Sequence, residues 1–422
     1  MPARERQLNP EDLAAHVADH VFSGPHDEAV GIELEWLCCP TDDWSRRPTL
    51  AETHQLIGSV GPLPRSGNVT MEPGGQLELS TLPYATASDA CEAAADDLYA
   101  LEVRCAIHGY ERVALGADPV RPPRRVTDAP RYEAMQQYFD ERGLAGLRMM
   151  TNTAAIQLNV GLGRDRTDIE RRWRLANHLG PVLIAAFANS PLAAGRPTGW
   201  LSSRLRAWWQ IDPSRTAPVT VGVSPAEDWL RYALDANVML IRRGIDTWTA
   251  LEHGFSFARW LEEGHRVGWP TVDDFAYHLT TLFPPIRPRG WLEIRVFDAI
   301  PTPFWHVAVA LTTTLLDSRE AEGEIDRAVD GTTDLWIDAA QLGLAHPELA
   351  RAAPAVFEVA LDELSRSGDA STVAVVEHYL DRWIARGRCP GDDRIDDWRR
   401  TGRLHPISES PIRYVDFDEA LT

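Results

Sequence analysis

Four separate stretches of this 422-residue chain alternate between polar and apolar side chains, and that alternation limits the fold more than any other feature. Side chains two apart on a strand share a face. In Gly31-Ile32-Glu33-Leu34-Glu35-Trp36 the two glutamates therefore project together, with Ile32, Leu34 and Trp36 opposite. Gln76-Leu77-Glu78-Leu79-Ser80 repeats the device and is entered from Glu72 through Pro73-Gly74-Gly75, a turn signal that also lets backbone approach a ligand closely. Trp291 to Phe297 places Glu293 and Arg295 on one face. Arg148 to Leu162 reads as a further strand, bearing Thr151, Thr153, Gln157 and Asn159. One sheet with an apolar back and an acidic, amide-rich front accommodates all four stretches. Adjacent carboxylates are tolerated either in solvent or around a hard cation that oxygen ligands hold, and the alternation alone leaves both open.

Between the strands the expected helices are Pro10 to His20, with Asn9 as N-cap, then Ala87 to His108 and Arg171 to Ala188. Ser190 to Pro218 is a polar, Gly/Pro-rich stretch carrying Trp200, Trp208 and Trp209. It reads as a long functional loop, with Arg204, Arg206 and Arg215 able to fork onto carboxylate or phosphate. Trp229 to Arg242 fits helix or strand equally. From Pro303 onward the pattern is helical. Strands separated by helices and followed by a helical tail predict an α+β fold, with a core over residues 1–310 and a helical region over 311–422 packed on it.

Composition narrows the chemistry. No lysine occurs anywhere, which excludes a P-loop and a pyridoxal Schiff base; any phosphate must be held by arginine, metal or backbone. A formal net charge of −20 excludes wrapping a nucleic-acid backbone. No apolar run approaches the roughly 20 residues that span a bilayer, and no apolar segment follows the basic N-terminus. A cytoplasmic protein without membrane contact is expected. The five cysteines lack zinc spacing, and Cys38 and Cys39 are expected to pack as small apolar residues in a reducing compartment.

Read in order, Gly31 to Glu35, Glu72 to Ser80, Thr151-Asn152-Thr153 with Gln157 and Asn159, Arg204 to Arg215, His278 to Pro284 and Leu292 to Arg295 resemble the glutamate–cysteine ligases of the plant and bacterial second family. Within that family the likeness is strongest to the branch serving actinobacterial ergothioneine formation, and the Glu72 to Ser80 motif is the most specific part. The resemblance implies a glutamine-synthetase-like curved antiparallel sheet flanked by helices. It further implies ATP-dependent joining of L-glutamate to L-cysteine through a γ-glutamyl phosphate, by a monomer or homodimer.

By motif position, the resemblance makes Glu33, Glu35, Glu72, Glu78, Gln157 and Glu293 magnesium ligands, and Arg204 the grip on glutamate. Arg295 and Arg287 would meet the nucleotide and, with Arg215, the transferring phosphoryl group, and Arg215, Gln76, Thr151 and Met239 would contact substrate. Met239 stands where plant relatives carry an aromatic in the cysteine pocket, which leaves another amine acceptor on the same fold as the alternative. A binding regulator without turnover has no need of so many metal ligands.

Overall fold

The alternation from Val30 to Pro40 is realised as the longest strand of a seven-stranded antiparallel sheet. The structure, a computed structural model, describes residues 8–24, 29–222, 224–244, 247–367 and 369–402. Its strands are β1 (Val30–Pro40), β2 (Asn68–Met71), β3 (Leu77–Ser80), β4 (Tyr110–Val113), β5 (Ala155–Val160), β6 (Leu192–Ala193), β7 (Arg196–Pro197), β8 (Leu240–Gly244), β9 (Thr247–Ala250), β10 (Ile286–Pro288) and β11 (Leu292–Asp298). The main sheet runs β10-β11-β5-β1-β3-β2, with β4 pairing the far end of β1; β6–β7 and β8–β9 are separate two-stranded ribbons.

Register follows from the alternation, because a one-residue slip would turn every glutamate of β1 into the core. Glu33 pairs with Gln157 of β5 on one side and Ser80 of β3 on the other, and Glu35 pairs with Glu78. The apolar back (Ile32, Leu34, Leu79, Leu158, Ile294) packs on the helices Ala87–Ile107, Arg166–Phe187 and Trp305–Asp317. Two outer helices, Pro347–Ser367 and Ala370–Arg382, cover these in turn. Phe187 joins the layers: its ring lies 5.3 Å from Phe297 of the sheet and 5.0 Å from Tyr379 of the outer layer. Each such fully buried side chain contributes about 1.5–3 kcal/mol through burial. One apolar cluster extends from Leu13 to Ile384. The boundary expected at residue 310 falls inside the helix Trp305–Asp317.

Several sequence expectations change. The helix Pro10–His20 forms as read, with a capping box between Asn9 and Asp12. Arg148 to Leu162 is not one strand: Ala145–Asn152 is a helix and only Ala155–Val160 is a strand. The run of Ala145, Leu147, Met149 and Met150 consists of good helix formers, and the Thr151 hydroxyl donates back to the Leu147 carbonyl at 2.7 Å. The stretch read as a loop from Ser190 carries the ribbon β6–β7 and a helix, Ser203–Ile211, whose N-cap Ser202 accepts from the Leu205 amide. Asp212 caps a short following helix, Pro213–Thr216. Trp229 to Arg242 divides between the end of the helix Pro225–Asp235 and the start of β8. All five cysteines are buried and unpaired, and burial pushes the Cys39 thiol up to about 12.

Candidate active site

The polar front of the sheet floors a cleft of about 540 Å³ with an acidic wall and a cationic wall. Glu35, Glu72 and Glu78 stand on the acidic side. Glu35 accepts from the Ala155 amide and from Nε2 of Gln157, both at 2.9 Å; Glu78 accepts from the hydroxyls of Thr70 at 3.0 Å and Ser80 at 3.2 Å. Glu72 is delivered by the Pro73-Gly74-Gly75 turn, closed by the Gly75 amide on the Glu72 carbonyl at 2.9 Å. Gly75 has φ +84, and a Cβ on Gly74 would come within 2.2 Å of the Thr151 carbonyl, so both glycines are needed. Arg47 fastens the turn by donating to the carbonyls of Gly74 (2.6 Å) and Thr151 (2.7 Å).

Glu33, Glu35 and Glu72 are held back from ionising. Burial, then the charges of Glu78 and Glu33, pushes Glu72 up to about 7. Burial likewise raises Glu35 well above the usual range, with Glu72 and Glu78 adding to it. Glu33, which accepts from Asn159 at 2.9 Å, is pushed up to about 7 by burial and by Glu293 and Glu78.

The cationic wall is organised by one carboxylate. Glu293, 1% exposed, accepts two bonds from Arg287 (2.5 and 2.8 Å), one from Arg295 (2.9 Å) and one from Arg289 (3.2 Å). Burial alone would raise its pKa, but Arg287 and Arg295 more than offset this and hold it below the usual range. Arg295 also donates to Gln157 and lies 5.2 Å from the centre of the Trp208 ring. Arg204, 2% exposed, donates from Nη2 to the Arg295 carbonyl at 2.8 Å. Its Nη1 is buried 3.8 Å from Asp298, with no hydrogen-bond partner among the described residues.

Of the residues singled out from sequence, Glu35, Glu72, Glu78, Gln76, Gln157, Arg204, Arg287 and Arg295 line this cleft. Glu33 and Glu293 adjoin them on the same sheet face. Three others are not brought to it. Arg215 is wholly buried, bonding Asp212 (3.1 Å) and the carbonyls of Thr281 (2.7 Å) and Asn237 (2.5 Å) under the Tyr138 ring. It ties the His278 to Pro284 segment to the helices around residue 212, and no donor faces the cleft. Met239 is fully buried in an apolar cluster, and the Thr151 hydroxyl is spent on its own helix. Sequence reasoning passed over Arg131, Arg242, Tyr277 and Arg289, which also line the cleft. They are isolated arginines and an aromatic on elements distant in sequence; only Arg289, beside Glu293, could have been found by spacing.

The family model described as glutamate-cysteine ligase family 2 matches residues 29–409. The chain belongs to glutamate–cysteine ligase family 2. Among its relatives, the glutamate–cysteine ligase EgtA of Mycolicibacterium smegmatis is 40% identical over 399 residues, covering 89% of this chain and 92% of that one. The chloroplastic glutamate–cysteine ligase of Medicago truncatula is 29% identical over 327 residues, 71% of this chain and 62% of that one. The crystal structure of a glutamate–cysteine ligase from Francisella tularensis in complex with AMP shares the fold, with a TM-score of 0.51 at 12% identity over 90% of this chain and 86% of that one. Like other members of glutamate–cysteine ligase family 2, the chain is an ATP-dependent ligase with an antiparallel sheet flanked by helices. No helix among the described residues is long and apolar enough to cross a membrane.

The donor set of this family member suits a hard divalent cation, since the acidic wall offers carboxyl oxygens that no arginine among the described residues pairs. As they stand, no three His, Cys, Asp or Glu side chains among the described residues are drawn together tightly enough to hold an ion. Glu293 is engaged by its three arginines, and Gln157 lies between Glu35 and Arg295.

Proposed function

We propose that this chain forms γ-glutamylcysteine from L-glutamate, L-cysteine and ATP with magnesium. The observation that carries the reading is the cleft in which carboxylates lacking their own arginines face arginines gathered around one buried glutamate. The γ-carboxylate oxygen of glutamate attacks the terminal phosphorus of ATP and ADP departs; the cysteine amine then attacks the acyl carbon and phosphate leaves. Two anions must meet in the first step, so positioning and charge neutralisation do most of the work. Arg204, which lines the cleft and whose Nη1 makes no hydrogen bond among the described residues, binds the glutamate substrate. Arg295 and Arg287 stabilise charge on the transferring phosphoryl group. Glu35, Glu72 and Glu78, with Glu33 beside them, are the residues that would hold magnesium, which neutralises nucleotide phosphates when bound. The likeness to the EgtA enzymes supports ergothioneine formation as the fate of the product.

The test is mass spectrometry of products from purified protein given ATP, magnesium, glutamate and a mixture of amino acids. γ-Glutamylcysteine should dominate, formed with one ADP and one phosphate per dipeptide. A different γ-glutamyl amide as the main product would assign the enzyme to another acceptor, and no amide at all would remove the catalytic reading.

A pH dependence follows from the acidic wall. A carboxyl whose folded pKa is raised binds its proton more tightly in the folded chain, so its stabilising effect is complete below the unfolded value near 4.5 and is lost as pH rises through about 7. Between pH 6.5 and 8 each of Glu33 and Glu72 should lower stability, by on the order of 1 kcal/mol. Calorimetry without divalent cation should show Tm falling over that interval, and magnesium, which binds the ionised groups, should raise Tm more at pH 8 than at pH 6.5. A Tm that climbs with pH in metal-free buffer would contradict the assignment.

A further inference from the structure

Arg131 of the helix Pro130–Asp140 and Arg242 of β8 both lie against the ring of Tyr277, 6.0 and 5.6 Å from its centre, at the cleft. Neither guanidinium meets a carboxylate within 4 Å among the described residues, and the Nε of Arg131 is buried without a hydrogen-bond partner. Two cations beside one ring repel, and an anion seated between them relieves that repulsion while the phenol supplies a flat apolar side. Met135, one helical turn from Arg131, lines the same end of the cleft with Met149 and Met150. Three thioethers form a soft, polarisable patch of a size for a side chain of few atoms. A triphosphate gains nothing from them, and the phosphoryl-handling arginines Arg287 and Arg295 stand on another wall, around Glu293.

Resting on the functional reading above, we propose that Arg131 and Arg242 hold the α-carboxylate of the acceptor amino acid, with its side chain against the three methionines. The acceptor is thereby selected as an α-amino acid rather than a simple amine, and its amine is turned toward the acyl phosphate.

The probe is cysteamine, which keeps the amine and thiol of cysteine and lacks the carboxylate. Arg242 is solvent-exposed on a two-stranded ribbon, so Arg242→Met should leave the fold intact. The ratio of kcat/KM for cysteine to that for cysteamine should fall at least tenfold in Arg242→Met, with Arg242→Lys recovering part of it. A ratio equal to the parent's, or a loss that falls on KM for ATP or glutamate instead, overturns the assignment while leaving the functional reading in place. A parent enzyme that makes no γ-glutamylcysteine sinks both.

Discussion

Replacing Arg295 with methionine is expected to lower kcat at saturating ATP, magnesium, glutamate and cysteine by about 10²–10³-fold, the range seen when one preorganised donor to a developing negative charge is removed. The guanidinium lies where both walls meet, bonded to Gln157 of the acidic side and Glu293 of the cationic side. Methionine keeps much of the stem that packs on Trp208, and Glu293 retains Arg287 and Arg289, so the fold should survive. Arg295→Lys should recover little, because a point charge cannot reproduce a planar fork with several donors. Turnover within tenfold of the parent in the methionine variant would remove Arg295 from the chemistry.

Glu293→Gln should act first on stability, lowering the free energy of unfolding by about 3–5 kcal/mol, as breaking a buried ion pair by removing one partner does. Its carboxylate is the common acceptor for Arg287, Arg289 and Arg295, and a neutral amide of the same shape leaves Arg287 buried and charged. Burial brings Arg287 down to about 10 even with Glu293 raising it, and because a guanidinium keeps its proton in proteins the charge stays buried once the carboxylate is gone. Urea unfolding of the single variant, and of Glu293→Gln combined with Arg287→Met, separates the contributions: the double variant should regain part of the loss. A drop below about 1 kcal/mol in the single variant would mean that the arginines are solvated in the folded chain, contrary to the geometry.

The strands bearing Glu33, Glu35, Glu78, Glu293 and Arg295 were legible because a half-buried strand writes its two faces directly into the sequence with period two. The helix Ala145–Asn152 was not, because Thr, Asn and Met residues next to a true strand blurred the change of period, and helix propensity decided it locally. Arg215 was misplaced for a different reason. An arginine between turn residues looks solvent-facing in one dimension, whereas here Asp212, three residues earlier, and two carbonyls from remote segments consume its donors. Arg131, Arg242 and Tyr277 come from three elements separated by more than a hundred residues at the extremes, so their meeting around one ring exists only in the folded chain.

The cationic wall is made wholly of guanidinium groups, in a chain that contains no primary side-chain amine. An acyl phosphate is an electrophile, and a lysine poised to neutralise it would compete with the acceptor for the activated carbon. Guanidinium, protonated at any working pH, presents charge without a nucleophilic lone pair. The intermediate can thus be cradled by positive charge without a lysine of its own container to acylate, so that no side-chain amine of the protein competes with the incoming amino acid there.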